Sequence, residues 1–168
     1  MRALGLIVVL VFSALPFAGC GGEPEPTQSS AATPRPAKAT PTLKVGSKVE
    51  LAGVRANYHG TEDVSGARTI HIEIEDNYFS PTVIKGKPGQ RLVVALENES
   101  QSPHTFTIGG SYVDQQIQPG GLSEVRVKLP ESGNLSFFCT FQKKNGMAGV
   151  FNVSGPLGKP GPKATARR

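Results

Sequence analysis

Between about Leu43 and Ser154 the chain alternates apolar and polar positions with a period of two. Thr69-Ile70-His71-Ile72-Glu73-Ile74-Glu75 puts three isoleucines on one face and polar side chains on the other, the pattern of a half-buried strand. Shorter strand-like runs follow at Pro81–Lys85, Arg91–Glu97, His104–Ile108, Ser123–Leu129, Leu135–Cys139 and Gly149–Val153. Turn residues separate them: Asn77, Gly86-Lys87-Pro88-Gly89, Gly109-Gly110, Pro119-Gly120-Gly121 and Glu131-Ser132-Gly133. Lys44–Arg55 adds a candidate N-terminal strand or hairpin. No stretch supports a long amphipathic helix, and no internal repeat is present. Seven to eight short strands with frequent turns predict an all-β fold, a Greek-key β-sandwich.

Composition agrees with this reading. The 168 residues include 20 glycines and 14 prolines, no tryptophan and only 7% aromatics, which suits short elements joined by many turns. The net charge of +5 is mild, and Lys159, Lys163, Arg167 and Arg168 supply much of it at the C-terminus. A nucleic-acid footprint would instead cluster basic residues on a folded face among aromatics, so no nucleic-acid partner is expected.

The ends of the chain carry different signals. Arg2 precedes a nearly unbroken apolar run, Leu4 to Phe12, and then the small-residue site Ala18-Gly19-Cys20. The run is too short to span a bilayer and fits a secretory signal peptide over residues 1–19. A cysteine directly after Ala-Gly resembles a bacterial lipobox, with Phe17 where such motifs usually carry leucine. Cys20 is then the expected lipidation site, and a diacylglycerol there supplies the two chains that stable membrane anchoring requires. The alternative is ordinary cleavage near Ala18, leaving a free exported thiol. Residues 20–42, rich in Pro, Ala, Thr and Ser, read as a disordered tether, residues 43–154 as the domain, and residues 155–168 as a basic disordered tail. The expected location is outside the cell membrane, facing the periplasm or the cell exterior.

A lipidated Cys20 leaves Cys139 without an intramolecular disulfide partner. An unpaired thiol in an exported, oxidising compartment is either a buried inert side chain or a metal ligand. Cys139 ends the apolar strand Leu135-Ser136-Phe137-Phe138, and the following loop returns to Met147. The frame is Cys139-x-x-Gln142-x-x-x-x-Met147. Upstream, His104 opens the strand His104-Thr105-Phe106-Thr107-Ile108 after a polar loop, Asn98 to Pro103. A blue-copper site needs two imidazoles and a thiolate in a plane, with a weak axial thioether.

On these residues the chain resembles the cupredoxin family, the small blue copper proteins such as plastocyanin, over Thr69 to Val153. The resemblance rests on IEIEDNYFSPTVIKGKPGQ, SPHTFTI and FFCTFQKKNGMAGVF. It implies a cupredoxin-like sandwich and copper as cofactor, with His104 matching the upstream histidine, Cys139 the thiolate and Met147 the axial thioether. Gln142 stands where the family carries its second histidine. The implied role is copper binding or one-electron transfer, with a redox or copper-delivery protein as partner.

Gln142 leaves three outcomes open. An altered copper site could use His104, Cys139 and Met147, with Gln142 coordinating or yielding its place to water; its soft donors would favour Cu(I) over Cu(II). A further ligand could come from elsewhere. His71 lies on the polar face of its strand and is a poor candidate, and His59 sits in a segment the pattern does not place. The domain could also bind no metal, with Cys139 a buried hydrophobe and His104 a hydrogen-bonded loop residue. Glu73, Glu75 and Asp76 form either an acidic docking patch or a solvated strand face, and Phe137, Phe138 and Phe141 read as core and rim packing. Asn98-Glu99-Ser100, Asn134-Leu135-Ser136 and Asn152-Val153-Ser154 match the glycosylation sequon by chance in a bacterial lipoprotein. No enzyme is expected: three histidines without His-x-His spacing do not make a multicopper oxidase, one loop cysteine does not make a binuclear centre, and no Ser/His/Asp or phosphate-cradling motif is present.

Overall fold

The computed structural model describes residues 42–110 and 113–161; the expected signal peptide, Cys20 and nearly all of the tether lie outside them. In chain order the strands are β1 (Lys48–Leu51), β2 (Val54–Asn57), β3 (Thr61–Asp63), β4 (Thr69–Glu75), β5 (Tyr78–Ser80), β6 (Val83–Lys85), β7 (Arg91–Asn98), β8 (His104–Ile108), β9 (Asp114–Ile117), β10 (Leu122–Lys128), β11 (Asn134–Phe138) and β12 (Ala148–Asn152). A single 3₁₀ turn, Lys143–Asn145, is the helical element among the described residues.

The alternation in the sequence becomes two facing sheets. One has four strands in the order β10-β7-β4-β5; the other has six in the order β3-β6-β12-β11-β8-β9. Ile70, Ile72 and Ile74 of β4 and Leu92, Val94 and Leu96 of β7 point inward from the first sheet. They meet Phe106 and Ile108 of β8, Phe137 of β11 and Phe151 of β12 from the second. Phe137 is the hub of the aromatic part of this core. Its ring lies 5.3 Å from that of Phe79, 5.0 Å from Phe106 and 5.1 Å from Phe151. Burying each such side chain contributes about 1.5–3 kcal/mol, and each well-oriented aromatic pair adds about 0.5–1.5 kcal/mol. The all-β sandwich expected from the pattern is therefore the observed architecture. The additional strands are short segments, β3, β5 and β9, of three or four residues.

The segment Lys44–Arg55 contributes a true hairpin. β1 and β2 pair antiparallel around Ala52 and Gly53, both with positive φ (50° and 78°). A two-residue turn of that kind matches the right-handed twist of the flanking strands. The hairpin covers the outer face of the six-stranded sheet, where Leu51, Ala56 and Tyr58 pack with Val83, Ala148 and Val150. This second cover explains why β12 is buried on both faces: Ala148 and Val150 face the hairpin, and Phe151 faces the main core. Gly149 lies between them, and a Cβ there would come within 2.3 Å of the Phe137 ring and 2.6 Å of the Thr82 carbonyl.

The domain extends past Ser154. Leu157 packs into the hairpin core, and its carbonyl accepts a hydrogen bond from Ala52 N–H at 2.6 Å. Asn134 Nδ2 donates to the carbonyls of Pro156 and Lys159 at 2.9 and 2.6 Å. Residues 155–161 are thus seated on the sandwich, where the sequence pattern predicts the start of a disordered tail. A Gly/Pro-rich segment has no periodicity to reveal this, because it is held through its carbonyls and one leucine. Residues 162–168 lie outside the described residues. The same hydrogen bonds occupy the amide of Asn134, and Asn98 is fully buried, so neither of these two among the three sequon asparagines presents its side chain to solvent.

Candidate metal centre

Strand register brings the candidate donors to one end of the sandwich. β11 pairs β12 with Phe138 opposite Ala148, and the next rung is a hydrogen bond from Cys139 N–H to the Met147 carbonyl at 3.0 Å. Cys139 and Met147 therefore face each other at the mouth of the loop Thr140–Gly146. On the other side β11 pairs β8 with Phe138 opposite Thr107, which carries His104 up to the level of that loop. His104, Cys139 and Met147 are all fully buried, and Gln142 is half-buried above them.

Three polar atoms converge. His104 Nδ1 lies 3.7 Å from Cys139 Sγ and 2.8 Å from Gln142 Oε1, and Sγ lies 3.2 Å from the same oxygen. Thr105 N–H points at Sγ from 3.4 Å. Thr105 also locks the loop to β8: its Oγ1 accepts Thr140 N–H at 2.8 Å and lies 3.1 Å from Thr140 Oγ1.

The loop is tied from a third direction. Asn57, the last residue of β2, donates from Nδ2 to the carbonyls of Asn145 (3.0 Å) and Asn77 (2.8 Å), and its own N–H bonds to the Gly146 carbonyl at 2.8 Å. Gly146 ends the 3₁₀ turn with φ 97°, and a Cβ there would lie 2.8 Å from Asn57 Oδ1. Glycine is thus required both by the left-handed backbone and by the clamp. The Gln142 carbonyl accepts Asn145 N–H at 2.9 Å and Met147 N–H at 3.2 Å, which closes the loop on itself.

Behind His104, Ser100 Oγ lies 2.8 Å from Nε2 and 2.8 Å from Asn98 Oδ1. Asp76 Oδ1 is 3.9 Å from Nε2, but its side chain is two-thirds exposed. Sequence reasoning missed Asn98, Ser100, Thr105 and Asn57. Asn98-Glu99-Ser100 was legible as a sequon, yet an Asn two residues before a Ser also signals a turn held by its own side chain, which is its use here: Ser100 N–H donates to Asn98 Oδ1 at 3.1 Å.

The other histidines stand apart. His71 Nε2 meets Glu97 Oε2 at 3.1 Å on the outer surface of the four-stranded sheet. His59 stacks on Tyr78 with ring centroids 3.5 Å apart and planes 9° apart. Among the described residues no three His, Cys, Asp or Glu side chains form a metal-holding group, so neither histidine replaces the missing imidazole. Burial raises Tyr78 above the ordinary tyrosine range, and Glu75, Glu73, Glu99 and Asp76 add to the effect. Those carboxylates surround Tyr78, and Asp76 among them also approaches His104. On the loop side Phe141 is 57% exposed, and Lys143 Nζ sits 3.8 Å above the Phe138 ring. Phe137 is core, whereas Phe141 is a surface residue.

The donor set suits a soft metal ion in part. Two donors at about 2.0–2.3 Å from one ion lie roughly 3.5 Å apart, the spacing of Sγ and Nδ1. Gln142 Oε1 sits inside that spacing, in direct hydrogen-bond contact.

No curated protein matches the sequence. Among solved structures the chain is similar to Na-dithionite-reduced auracyanin from the photosynthetic bacterium Roseiflexus castenholzii. The identity is 19% and the TM-score 0.47, covering 53% of this chain and 98% of that one. It is similar to auracyanin A, a "blue" copper protein from Chloroflexus aurantiacus, at 16% identity and a TM-score of 0.42, covering 51% of this chain and 99% of that one. It is also similar to the metal-binding domain of the Cu(I)-exporting P-type ATPase of Streptococcus pneumoniae, at 15% identity and a TM-score of 0.47, covering 57% and 97%. At these identities the likenesses bear on fold alone. The family model of the cupredoxin-like domain matches residues 50–153, well over half of the chain, and the chain belongs to that family.

Proposed function

We propose that this protein is an exported, lipid-anchored copper-binding protein whose site holds copper through Cys139, His104 and Met147. The observation that carries the reading is the 3.7 Å approach of Cys139 Sγ to His104 Nδ1, at a spacing one metal ion can bridge, with Thr105 N–H on the sulfur. When bound, copper would supply one-electron chemistry or be itself the cargo. Two of the three donors are soft sulfurs and only one imidazole is present, so the set favours Cu(I) over Cu(II). Gln142 offers a neutral amide oxygen where a second imidazole would stabilise Cu(II). Handling of Cu(I) is therefore the leading role, and electron transfer to a protein partner is secondary. The proposed role is binding, without catalysis.

A second reading is favoured by a specific observation. Gln142 Oε1 already contacts both Nδ1 and Sγ, and among the described residues no buried side-chain nitrogen or oxygen lacks a partner. The polar atoms of the site can thus be paired without metal, as in a metal-free binding module. Titration of the purified protein with Cu(I) and Cu(II) separates the cases. Stoichiometric Cu(I) uptake without colour supports copper handling. An intense visible band with Cu(II), from thiolate-to-copper charge transfer, supports a redox site. No uptake of either ion leaves the metal-free module. Export and anchoring are tested separately, by whether the protein partitions into the membrane fraction and loses that property on Cys20→Ala.

A further inference from the structure

We infer that the free edge of β10 pairs with the same edge of a second copy of this chain, joining two four-stranded sheets across a two-fold axis at Val125. β10 ends the four-stranded sheet and runs seven residues, Leu122–Lys128. The other outer strands of the two facing sheets, β3, β5 and β9, have only three or four. A long exposed edge is a template for another strand. Register shows which backbone groups are free. Leu129 N–H donates to the Gln90 carbonyl and Asn98 N–H to the Gly121 carbonyl, in the same register that sets Val125 opposite Val94. Hydrogen-bonded rungs alternate along an antiparallel ladder, so they fall on Ser123, Val125 and Val127. Leu122, Glu124, Arg126 and Lys128 therefore turn their N–H and C=O groups away from β7, toward the open edge.

A partner strand must meet these even-numbered residues with its own. Centring the pair on Val125 does so and sets Glu124 opposite Arg126 of the second copy, and Arg126 opposite its Glu124. Centring it on Glu124 or on Arg126 would place that residue against its own like charge. Both side chains are exposed, and among the described residues neither has an ion-pair partner within the chain. The same pairing lays Leu122, 75% exposed, along the aliphatic stem of Lys128 of the second copy. It also closes the partly buried Val125, at the margin of the main core, against its own copy. An edge charged only to repel other strands needs no particular order of charges. This order makes the strand complementary to itself when reversed, as a two-fold contact requires.

Sedimentation equilibrium of the purified full chain should show a concentration-dependent monomer–dimer equilibrium. Glu124→Arg and Arg126→Glu each set like charges opposite one another at both symmetry-related rungs, and each should weaken dimerisation by about 10-fold. The double reversal Glu124→Arg/Arg126→Glu should restore it, which no loss of folding could do. Cross-linking reads the register. Val125 lies on the axis about 4.5 Å from its copy, so Val125→Cys should give a disulfide-linked dimer on mild oxidation. Glu124→Cys, two residues out of step with its copy and more than about 7 Å from it, should not. The wild type, whose Cys139 is buried, is the control. A chain that stays monomeric overturns the inference and leaves the edge to a strand of a different protein. A dimer indifferent to both charge reversals, or one that links through Glu124→Cys in place of Val125→Cys, overturns it as well.

Discussion

Gln142 Oε1 lies 2.8 Å from His104 Nδ1, closer to the imidazole than the Cys139 sulfur is. The amide therefore occupies the face of the site that a second imidazole would need. Gln142→His is expected to raise Cu(II) affinity by at least about 10-fold and to produce an intense visible band on Cu(II) addition. Absorbance titration of variant and parent checks this. A variant that binds Cu(II) no better than the parent would show that position 142 does not face the metal.

Cys139→Ala and Met147→Leu separate the two sulfur donors. Removing the thiolate should lower Cu(I) affinity by more than the roughly 10–100-fold typical of an outer partner, while costing about 1 kcal/mol of stability. Met147→Leu conserves volume in a fully buried position and should cost less than about 1.5 kcal/mol. Its Cu(I) affinity should fall by less than that of Cys139→Ala, as competition with a Cu(I) chelator would report. Equal affinities for parent and both variants would remove copper from this end of the sandwich.

Asn57→Ala should act on the loop from a distance. It removes two side-chain hydrogen bonds, to Asn145 and Asn77, and should cost about 1–3 kcal/mol in chemical denaturation because the loop carbonyls lose their donor. Cu(I) affinity should fall as well, although Asn57 touches none of the four candidate donors. Unchanged affinity at lower stability would make the clamp purely structural.

Gly149→Ala places a methyl 2.3 Å from the Phe137 ring and 2.6 Å from a backbone carbonyl. Neither can yield without moving the aromatic hub or a strand, so a loss of about 1–3 kcal/mol or more is expected from thermal or denaturant unfolding. Gly66→Ala, with open space around its Cβ position, is the matched control and should change stability little.

Tyr78 predicts the alkaline limb of stability. Its folded value is raised above 10.0, chiefly by burial, so its neutral form is favoured in the fold. The stability this supplies is fully present below 10.0 and is lost as pH rises through the higher folded value. Tyr78→Phe, which keeps the ring against His59, should therefore flatten the decline in stability above about pH 10. A decline of equal slope in both proteins would place its origin elsewhere.

The long alternating strands were legible because one face of each is buried: β4 and β7 read directly from their isoleucines, leucines and valines. β3 was not, since Thr61-Glu62-Asp63 is exposed throughout and pairs only through its backbone with β6. β9, Asp114-Gln115-Gln116-Ile117, likewise buries a single side chain. At the site, spacing and strand ends were enough to bring His104, Cys139, Gln142 and Met147 together. The supports were harder to read: the Asn98–Ser100 turn is local, but the bonds of Asn98 to Ile117, of Ser100 to His104 and of Asn57 to Asn77 and Asn145 join residues that the fold brings together. Residues 155–161 escaped for the same reason.

The bond between Asn57 and Asn145 joins residues 88 positions apart. It holds the Cys139–Met147 loop from β2, so the shape of that loop depends on a contact of high sequence separation. A fragment starting at Thr69 would keep all four candidate donors and lose the partner that closes the loop around them. A chain truncated there should accordingly hold the loop, and any metal ion bound by it, more weakly than the whole domain does.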